Sequence, residues 1–179
     1  MTARPNLWAQ AAAALDPSDQ LPIDLNDPTI SKSVDHVLES AKLLQEKRRS
    51  KMWKYKNEKG EEIILHDVFA KIVAWVEKFK EVGDTIMQYD PGHAALPWAG
   101  VRFVLQVAVN DHKSLEAMAE GLELVSNLIA KSRVWEELYL MKPSALNGRL
   151  IEAMRKLYRA ILIYLGRAGR YYKQSTPGT

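Results

Sequence analysis

The sequence predicts an all-α protein, an elongated antiparallel bundle of about five to six helices. Apolar residues recur at three- and four-residue spacing through most of the 179 residues, and proline and glycine fall in a few clusters between these stretches. The length is that of one ordinary domain with a sizeable core. Cysteine is absent, which excludes disulfides, thiolate catalysis and zinc sites built on sulfur.

The first part of the chain predicts a short helix and an arm that lead into the bundle. An alanine-rich helix over about Asn6 to Leu15 precedes an extended arm, and Asp27-Pro28 is typical of a helix cap followed by proline in the first turn. The first long helix then continues to about Tyr55. We assign residues 1–30 to the short helix and arm, 31–173 to the bundle, and 174–179 to a tail or linker.

The middle of the chain predicts two helices of different character. Residues between Tyr55 and His66 are expected to form a loop, with a small hairpin turned at Gly60 as the alternative. A strongly amphipathic helix follows from about Asp67 to Tyr89 and carries Trp75 in its apolar stripe. The next helix begins at Pro97 and ends near Val109; because it is apolar nearly all round, it should lie in the middle of the bundle.

Two long helices complete the prediction. The fourth is capped by Asp111 or Ser114, and its inner stripe holds Leu128 or Ile129 and then Trp135. Gly121 within it favours close packing rather than a binding site. The last helix begins near Pro143-Ser144, has Leu146 at the start of its inner stripe, and ends near Tyr172.

No catalytic or cofactor-binding pattern occurs in the sequence. No two of the four histidines have the i, i+4 spacing of helical metal ligands. The His66-Asp67 and Asp111-His112 pairs fall at predicted helix starts, where aspartate caps the helix. A Walker phosphate loop and a Gly-x-Ser-x-Gly elbow are both missing. The sequence therefore predicts a protein without enzyme activity, bound metal or cofactor.

One cluster of turn residues has two interpretations. It contains an aromatic ring and a histidine within a short segment: Asp90, Pro91, Gly92, His93, Pro97 and Trp98. It is either a binding loop or a helix break with Trp98 packed on the core and His93 hydrogen-bonded locally. The second interpretation, a structural loop, is favoured.

Two basic segments that contain aromatic residues form the candidate interaction surface. Its members are Lys47, Arg48, Arg49, Lys51, Lys54, Arg167, Arg170, Tyr171 and Tyr172. Cations mixed with aromatic rings suit phosphates or an anionic membrane. Solvated helix faces explain the same pattern and are the favoured interpretation.

The sequence also predicts a soluble, cytoplasmic protein. The N-terminus lacks the basic start and apolar run of a signal peptide. The longest apolar stretch, Ala94 to Val109, is interrupted by Arg102 and Gln106 and is shorter than the roughly 20 residues of a spanning helix.

Several segments resemble the N-terminal region of fungal NOD-like receptors. They are Trp53-Lys-Tyr55, Ile64 to Val76, Phe79 to Asp84, Tyr89 to Phe103, Val109 to Asp111, Glu120 to Val125 and Glu136 to Tyr139. The resemblance covers about Trp8 to Tyr172, and Asp-Pro-Gly-His through Gly-Val-Arg is its most specific part.

In that family a helical domain precedes a NACHT nucleotide-binding module and ankyrin or WD repeats, in signal-transducing STAND ATPases. The resemblance implies a non-catalytic effector, adaptor or oligomerisation domain in non-self recognition or regulated cell death, with ATP hydrolysis in the downstream module. Its expected partners are proteins: copies of itself or the NACHT and repeat domains. Permeabilisation of anionic membranes is the alternative, and nucleic-acid binding through the same cations is the least favoured.

Overall fold

The structure is a computed structural model that describes residues 6–24, 27–49, 53–83, 95–140 and 144–175. These residues form six α-helices and one two-stranded hairpin, so the all-α prediction is confirmed. The elements are α1 (Leu7–Ala13), α2 (Ser33–Arg49), β1 (Lys54–Lys56), β2 (Glu62–Ile64), α3 (Leu65–Gly83), α4 (Leu96–Ala108), α5 (His112–Tyr139) and α6 (Asn147–Ser175), with 3₁₀ helices at Pro17–Asp19 and Pro28–Lys32.

Helix α4 lies at the centre of the bundle, as its apolar sequence predicts. It packs against α1, α2, α5 and α6, and nine of its 13 residues are buried. A helix that is apolar nearly all round is stable only when neighbours cover all its faces. Helices α1, α2, α5 and α6 therefore surround α4.

Helices α2 and α3 run antiparallel, whereas α3 and α5, which are not neighbours in the sequence, run parallel. Ion pairs join Asp35 to Lys80 and Lys42 to Glu77, and this opposite order along α2 and α3 makes the two helices antiparallel. Helices α3 and α5 also pack together, but their paired residues follow the same order. Trp75 meets Glu123, and four residues later Phe79 meets Arg133.

Helix α1 is short but firmly packed. The Asn6 side chain caps it by accepting a hydrogen bond of 3.0 Å from the amide of Ala9. Its Trp8 ring stacks on Tyr158 of α6 with 3.8 Å between centroids and 2° between planes. Trp8 is thereby almost completely buried, and α1 covers part of the apolar face of α6.

The segment before α3 is a hairpin, so the expected loop was wrong and the alternative was right. Tyr55 of β1 pairs with Ile63 of β2, and Gly60 has a φ of +79°, which suits glycine. The Asn57 side chain accepts hydrogen bonds from the amides of Lys59 and Glu61. These side-chain hydrogen bonds close the turn, and no periodic pattern of apolar residues in the sequence accompanies it.

Several predicted boundaries also shift. The first long helix ends at Arg49 rather than near Tyr55, and Asp27 caps a 3₁₀ helix ahead of α2. Helix α6 runs to Ser175, past the predicted end near Tyr172. The predicted end of the second long helix, near Tyr89, lies outside the described residues.

Two packing predictions have opposite outcomes. Close packing at Gly121 is confirmed, because the Tyr164 hydroxyl occupies the space that a Cβ there would need. The inner position of Leu146 was wrong: this side chain precedes α6 and is 71% exposed. The inner stripe of α6 is instead formed by buried residues from Met154 to Leu165.

Candidate interaction surface

The first predicted basic segment is only partly described. Lys47 is exposed on α2, and Lys54 is exposed on β1, where it pairs with Glu62 at 3.4 Å. Arg48 and Arg49 belong to α2, but their side chains, like all of Lys51, lie outside the described residues. Because Lys54 pairs at the solvated surface, its ion pair contributes little to stability.

The second basic segment holds the N-terminal arm against α6. Arg167 donates to both carboxylate oxygens of Asp19, at 2.9 and 3.2 Å, and Arg170 donates to the carbonyl of Gln20 at 2.9 Å. The hydrogen bond from Arg167 lowers the pKa of the Asp19 carboxyl and raises the pKa of the Arg167 guanidinium. Arg167 and Arg170, the two arginines of this second segment, are therefore engaged within the chain.

The two neighbouring tyrosines differ in exposure. Tyr171 is 65% exposed, whereas Tyr172 is partly buried against the core. Their rings meet edge to face with 5.2 Å between centroids. Burial raises the pKa of the Tyr172 hydroxyl. Of this pair, Tyr171 is the ring presented to solvent.

The candidate structural loop is described only at its end. Asp90, Pro91, Gly92 and His93 lie outside the described residues. Pro97 and Trp98 stand in the first turn of α4 and are buried. The Trp98 ring packs edge to face against Phe79 at 5.3 Å. Trp98 is therefore a core residue.

Members of the two histidine–aspartate pairs contact other polar groups of the same chain. His66 Nδ1 lies 2.9 Å from the Gln45 carbonyl oxygen. Asp111 precedes α5 and accepts a hydrogen bond of 2.5 Å from the hydroxyl of Ser114. The side chain of His112 lies outside the described part of the chain.

The hairpin turns its aromatic face onto acidic residues of α5. The Trp53 indole donates a hydrogen bond to Glu116, and the Asn57 amide donates to Glu120 at 3.3 Å. Between them the Tyr55 hydroxyl is buried; desolvation, followed by the charges of Glu120 and Glu116, raises its pKa to about 12. Trp53 and Tyr55 thus dock the hairpin rather than extend a basic surface.

Sequence reasoning missed a groove between α3 and α5. Its volume is about 380 Å³. The lining residues, which we call the α3–α5 groove, are Trp75 and Lys78 from α3 and Ala130, Lys131, Val134 and Trp135 from α5. Two tryptophans and two lysines therefore line one open depression.

A hydrogen bond orients one wall of the groove, and two lysines bring positive charge to it. The Trp75 indole N–H donates to Glu123 at 3.1 Å, which orients the ring. The Lys131 ammonium lies 5.7 Å from the centre of that ring, within reach of a cation–π attraction. Among the described residues, neither Lys78 nor Lys131 forms an ion pair with a carboxylate.

Apolar side chains continue from the groove along the outer face of α5. Trp135 is 36% exposed, and Leu138 and Tyr139 are still more exposed. The inner position predicted for Trp135 was wrong. Six residues separate it from the buried Ile129, a rotation of about 240° at 3.6 residues per turn. That angle is the signal in the sequence that could have found it.

The fold and this surface define a helical domain with an exposed aromatic groove that carries positive charge. In the described part of the chain, no group of three acidic or histidine side chains is arranged to hold a metal ion. None of its described helices is both long and apolar enough to cross a membrane.

Residues 67–178 match the family described as a domain of unknown function, DUF7708, and the chain belongs to that family. The matched segment includes α3 from its third residue onward and all of α4, α5 and α6, and it therefore contains every residue that lines the groove. Neither a curated protein nor a solved structure matches the chain.

Proposed function

We propose that this chain is a non-catalytic signalling domain that works through protein–protein contacts. Its context is the N-terminal region of a fungal NOD-like STAND receptor, as an effector or oligomerisation element in non-self recognition or regulated cell death. Copies of itself and the NACHT and repeat modules of such receptors are its partners.

The observation that carries the proposal is the apolar surface of the α3–α5 groove and the adjoining end of α5. Trp135, Leu138 and Tyr139 are exposed within two turns of one helix. Contiguous exposed apolar groups mark binding sites more often than isolated ones do, and tryptophan and tyrosine are enriched in protein interfaces. The resemblance to receptor N-terminal regions supplies the biological setting.

Oligomeric state and domain binding test this function. Light scattering after size exclusion at rising concentration measures self-association, and pull-down measures binding to purified NACHT and repeat modules of the receptors that the chain resembles. We expect at least one interaction, weakened by Trp135→Ala/Leu138→Ala. The matched control is Leu43→Ala/Val109→Ala, which also truncates exposed apolar side chains. A strict monomer that binds neither module would contradict the proposal.

A membrane-active bundle is the second candidate, and the outer face of α6 favours it. Arg149, Arg155, Lys156 and Arg159 are all exposed there, and clustered cations attract anionic lipid. Leakage from anionic but not from neutral vesicles is the expected result. Absence of leakage from both would exclude this candidate.

Nucleic-acid binding is the third candidate. Such binding depends on phosphate contacts and weakens steeply as the salt concentration rises. Absence of binding at low salt would therefore exclude it.

A further inference from the structure

We propose that the α3–α5 groove binds an acidic, amphipathic peptide segment of a partner protein. An apolar side chain of the ligand sits against Trp75 and Trp135, and a ligand carboxylate meets the ammonium groups of Lys78 and Lys131. This inference rests on the proposed interaction function and specifies the chemistry of the partner.

The lining of the groove suits apolar side chains of a ligand. A volume of about 380 Å³ lies near the lower end of ligand sites, which range over roughly 300–1,000 Å³. Trp75, Ala130, Val134 and Trp135 supply apolar walls. Indole rings bury large areas with few rotatable bonds, so they bind apolar side chains at low entropic cost.

The charge of the groove selects an acidic ligand. Lys78 of α3 and Lys131 of α5 both line the depression, so each helix contributes one lysine to it. Neither forms an ion pair with a described carboxylate. A ligand carboxylate would gain charge-assisted hydrogen bonds from both, whereas a basic ligand would be repelled.

The outer face of α5 extends the surface beyond the groove. Leu124, Lys131 and Leu138 recur every seven residues and therefore lie along one line of the helix. Leu124 is 55% exposed and Leu138 is 65% exposed. A ligand helix with apolar residues at i, i+4 and i+7 can follow such a line. This geometry places apolar contacts on both sides of the Lys131 charge.

A peptide fits this surface better than an anionic membrane does. The hairpin end of α5 carries Glu116, Glu120 and Glu123, and Glu120 is exposed there. A flat anionic lipid surface laid along α5 would meet these carboxylates as well as the lysines. A peptide carries its negative charge locally and can place it at Lys78 and Lys131 alone.

The experiment selects ligands from a displayed library of random peptides of about 12 residues, long enough for roughly three helical turns. The intact chain is the bait, and enriched peptides are synthesised for anisotropy measurements. The charge-reversed variant is Lys78→Glu/Lys131→Glu. Its matched control, Lys32→Glu/Lys173→Glu, makes the same charge change at exposed lysines elsewhere. Circular dichroism verifies that each variant is folded.

We expect the enriched peptides to combine aromatic or aliphatic residues with Asp and Glu. These peptides should bind the control variant as tightly as they bind the unaltered chain, and bind the charge-reversed variant at least tenfold more weakly. When the Asp and Glu residues of a peptide are changed to lysine, the peptide should regain affinity for the charge-reversed variant. Enriched peptides that are basic or neutral, or acidic peptides insensitive to the charge reversal, would overturn the inference.

The variant Trp135→Ala/Leu138→Ala distinguishes a failure of the acidic-peptide inference from a failure of the proposed interaction function. Peptides that lose affinity for this variant but ignore the charge reversal would refute the acidic chemistry and leave the interaction function standing. If no peptide is enriched, or if none responds to this variant, the peptide inference fails, whereas the proposed function is decided by the measurements of oligomeric state and domain binding. Binding to anionic vesicles that requires Trp135 and Leu138, without any enriched peptide, would assign the groove to lipid instead.

Discussion

Replacement of Trp8 by alanine should destabilise the whole bundle, because this ring joins α1 to α6. Trp8 is 7% exposed and stacks on the fully buried ring of Tyr158. The Tyr158 hydroxyl in turn donates a hydrogen bond to Glu136 of α5. Loss of the indole therefore leaves a cavity beside a residue that also contacts a third helix.

The expected loss follows from this burial. Truncation of a buried tryptophan or phenylalanine to alanine costs about 3–5 kcal/mol. For a domain of this size, each kcal/mol lowers the melting temperature by roughly 2–4 °C. Trp8→Ala should therefore reduce the free energy of unfolding by about 3–5 kcal/mol and the melting temperature by roughly 6–20 °C.

Urea unfolding followed by far-ultraviolet circular dichroism measures this loss. The control is Tyr171→Ala, which truncates an aromatic ring that is 65% exposed and should change the free energy of unfolding by less than about 0.5 kcal/mol. A loss below about 1 kcal/mol for Trp8→Ala, far short of a buried-ring truncation, would refute the reasoning. It would mean that α1 is not part of the cooperative unit.

Three further changes probe other contacts. Tyr55→Phe should be neutral or raise the free energy of unfolding by up to about 1 kcal/mol, because the buried hydroxyl has no hydrogen-bond partner among the described residues. The pKa of Tyr55 is raised to about 12, so the unaltered protein loses stability as the pH rises from about 10 to 12, where the tyrosine of the unfolded chain ionises first. Tyr55→Phe should lose less stability over the same pH range. Equal losses in urea titrations at alkaline pH would contradict this explanation. Asp19→Asn should be less stable than the exposed control Asp16→Asn near neutral pH. The lowered pKa of the Asp19 carboxyl stabilises the fold at pH values above the ordinary pKa of 3.8, and this stabilisation is lost as the pH falls through the lowered pKa. A stability difference between the two variants that persists in strong acid would show that the charge of Asp19 is not the cause. Gly169→Ala should lower the free energy of unfolding by about 1–2 kcal/mol, because the added Cβ would overlap the Phe103 ring and the overpacking exceeds the gain in helix propensity. Gly148→Ala, which has open space around it, is the control. Thermal melts in which Gly148→Ala is the less stable variant would contradict this packing.

Periodicity predicted the parts of the fold in which burial follows one helical face. The apolar sequence of α4 gave its central position, and Trp98 is buried there. The hairpin has no such period: its turn depends on the side chain of Asn57 and on Gly60. Local sequence favoured a loop because those contacts are specific to the folded backbone.

The candidate surface was harder to predict, because its residues come from distant parts of the chain. Asp19 and Arg167 are 148 positions apart, so no local pattern indicates that this arginine is engaged. Likewise Trp75 and Lys131 meet only because α3 and α5 pack in parallel. Cationic and aromatic composition identified candidate residues, but only packing determined which of them face solvent together.

The most direct test of the central claim is the affinity of a groove variant for a binding partner. The partner is a NACHT or repeat module that binds the unaltered chain, or the chain itself. Trp135→Ala/Leu138→Ala should weaken that affinity by about tenfold or more, as expected when interface anchors are truncated, whereas Leu43→Ala/Val109→Ala should leave it unchanged. Equal affinity for both folded variants would contradict an interaction function at the α3–α5 groove.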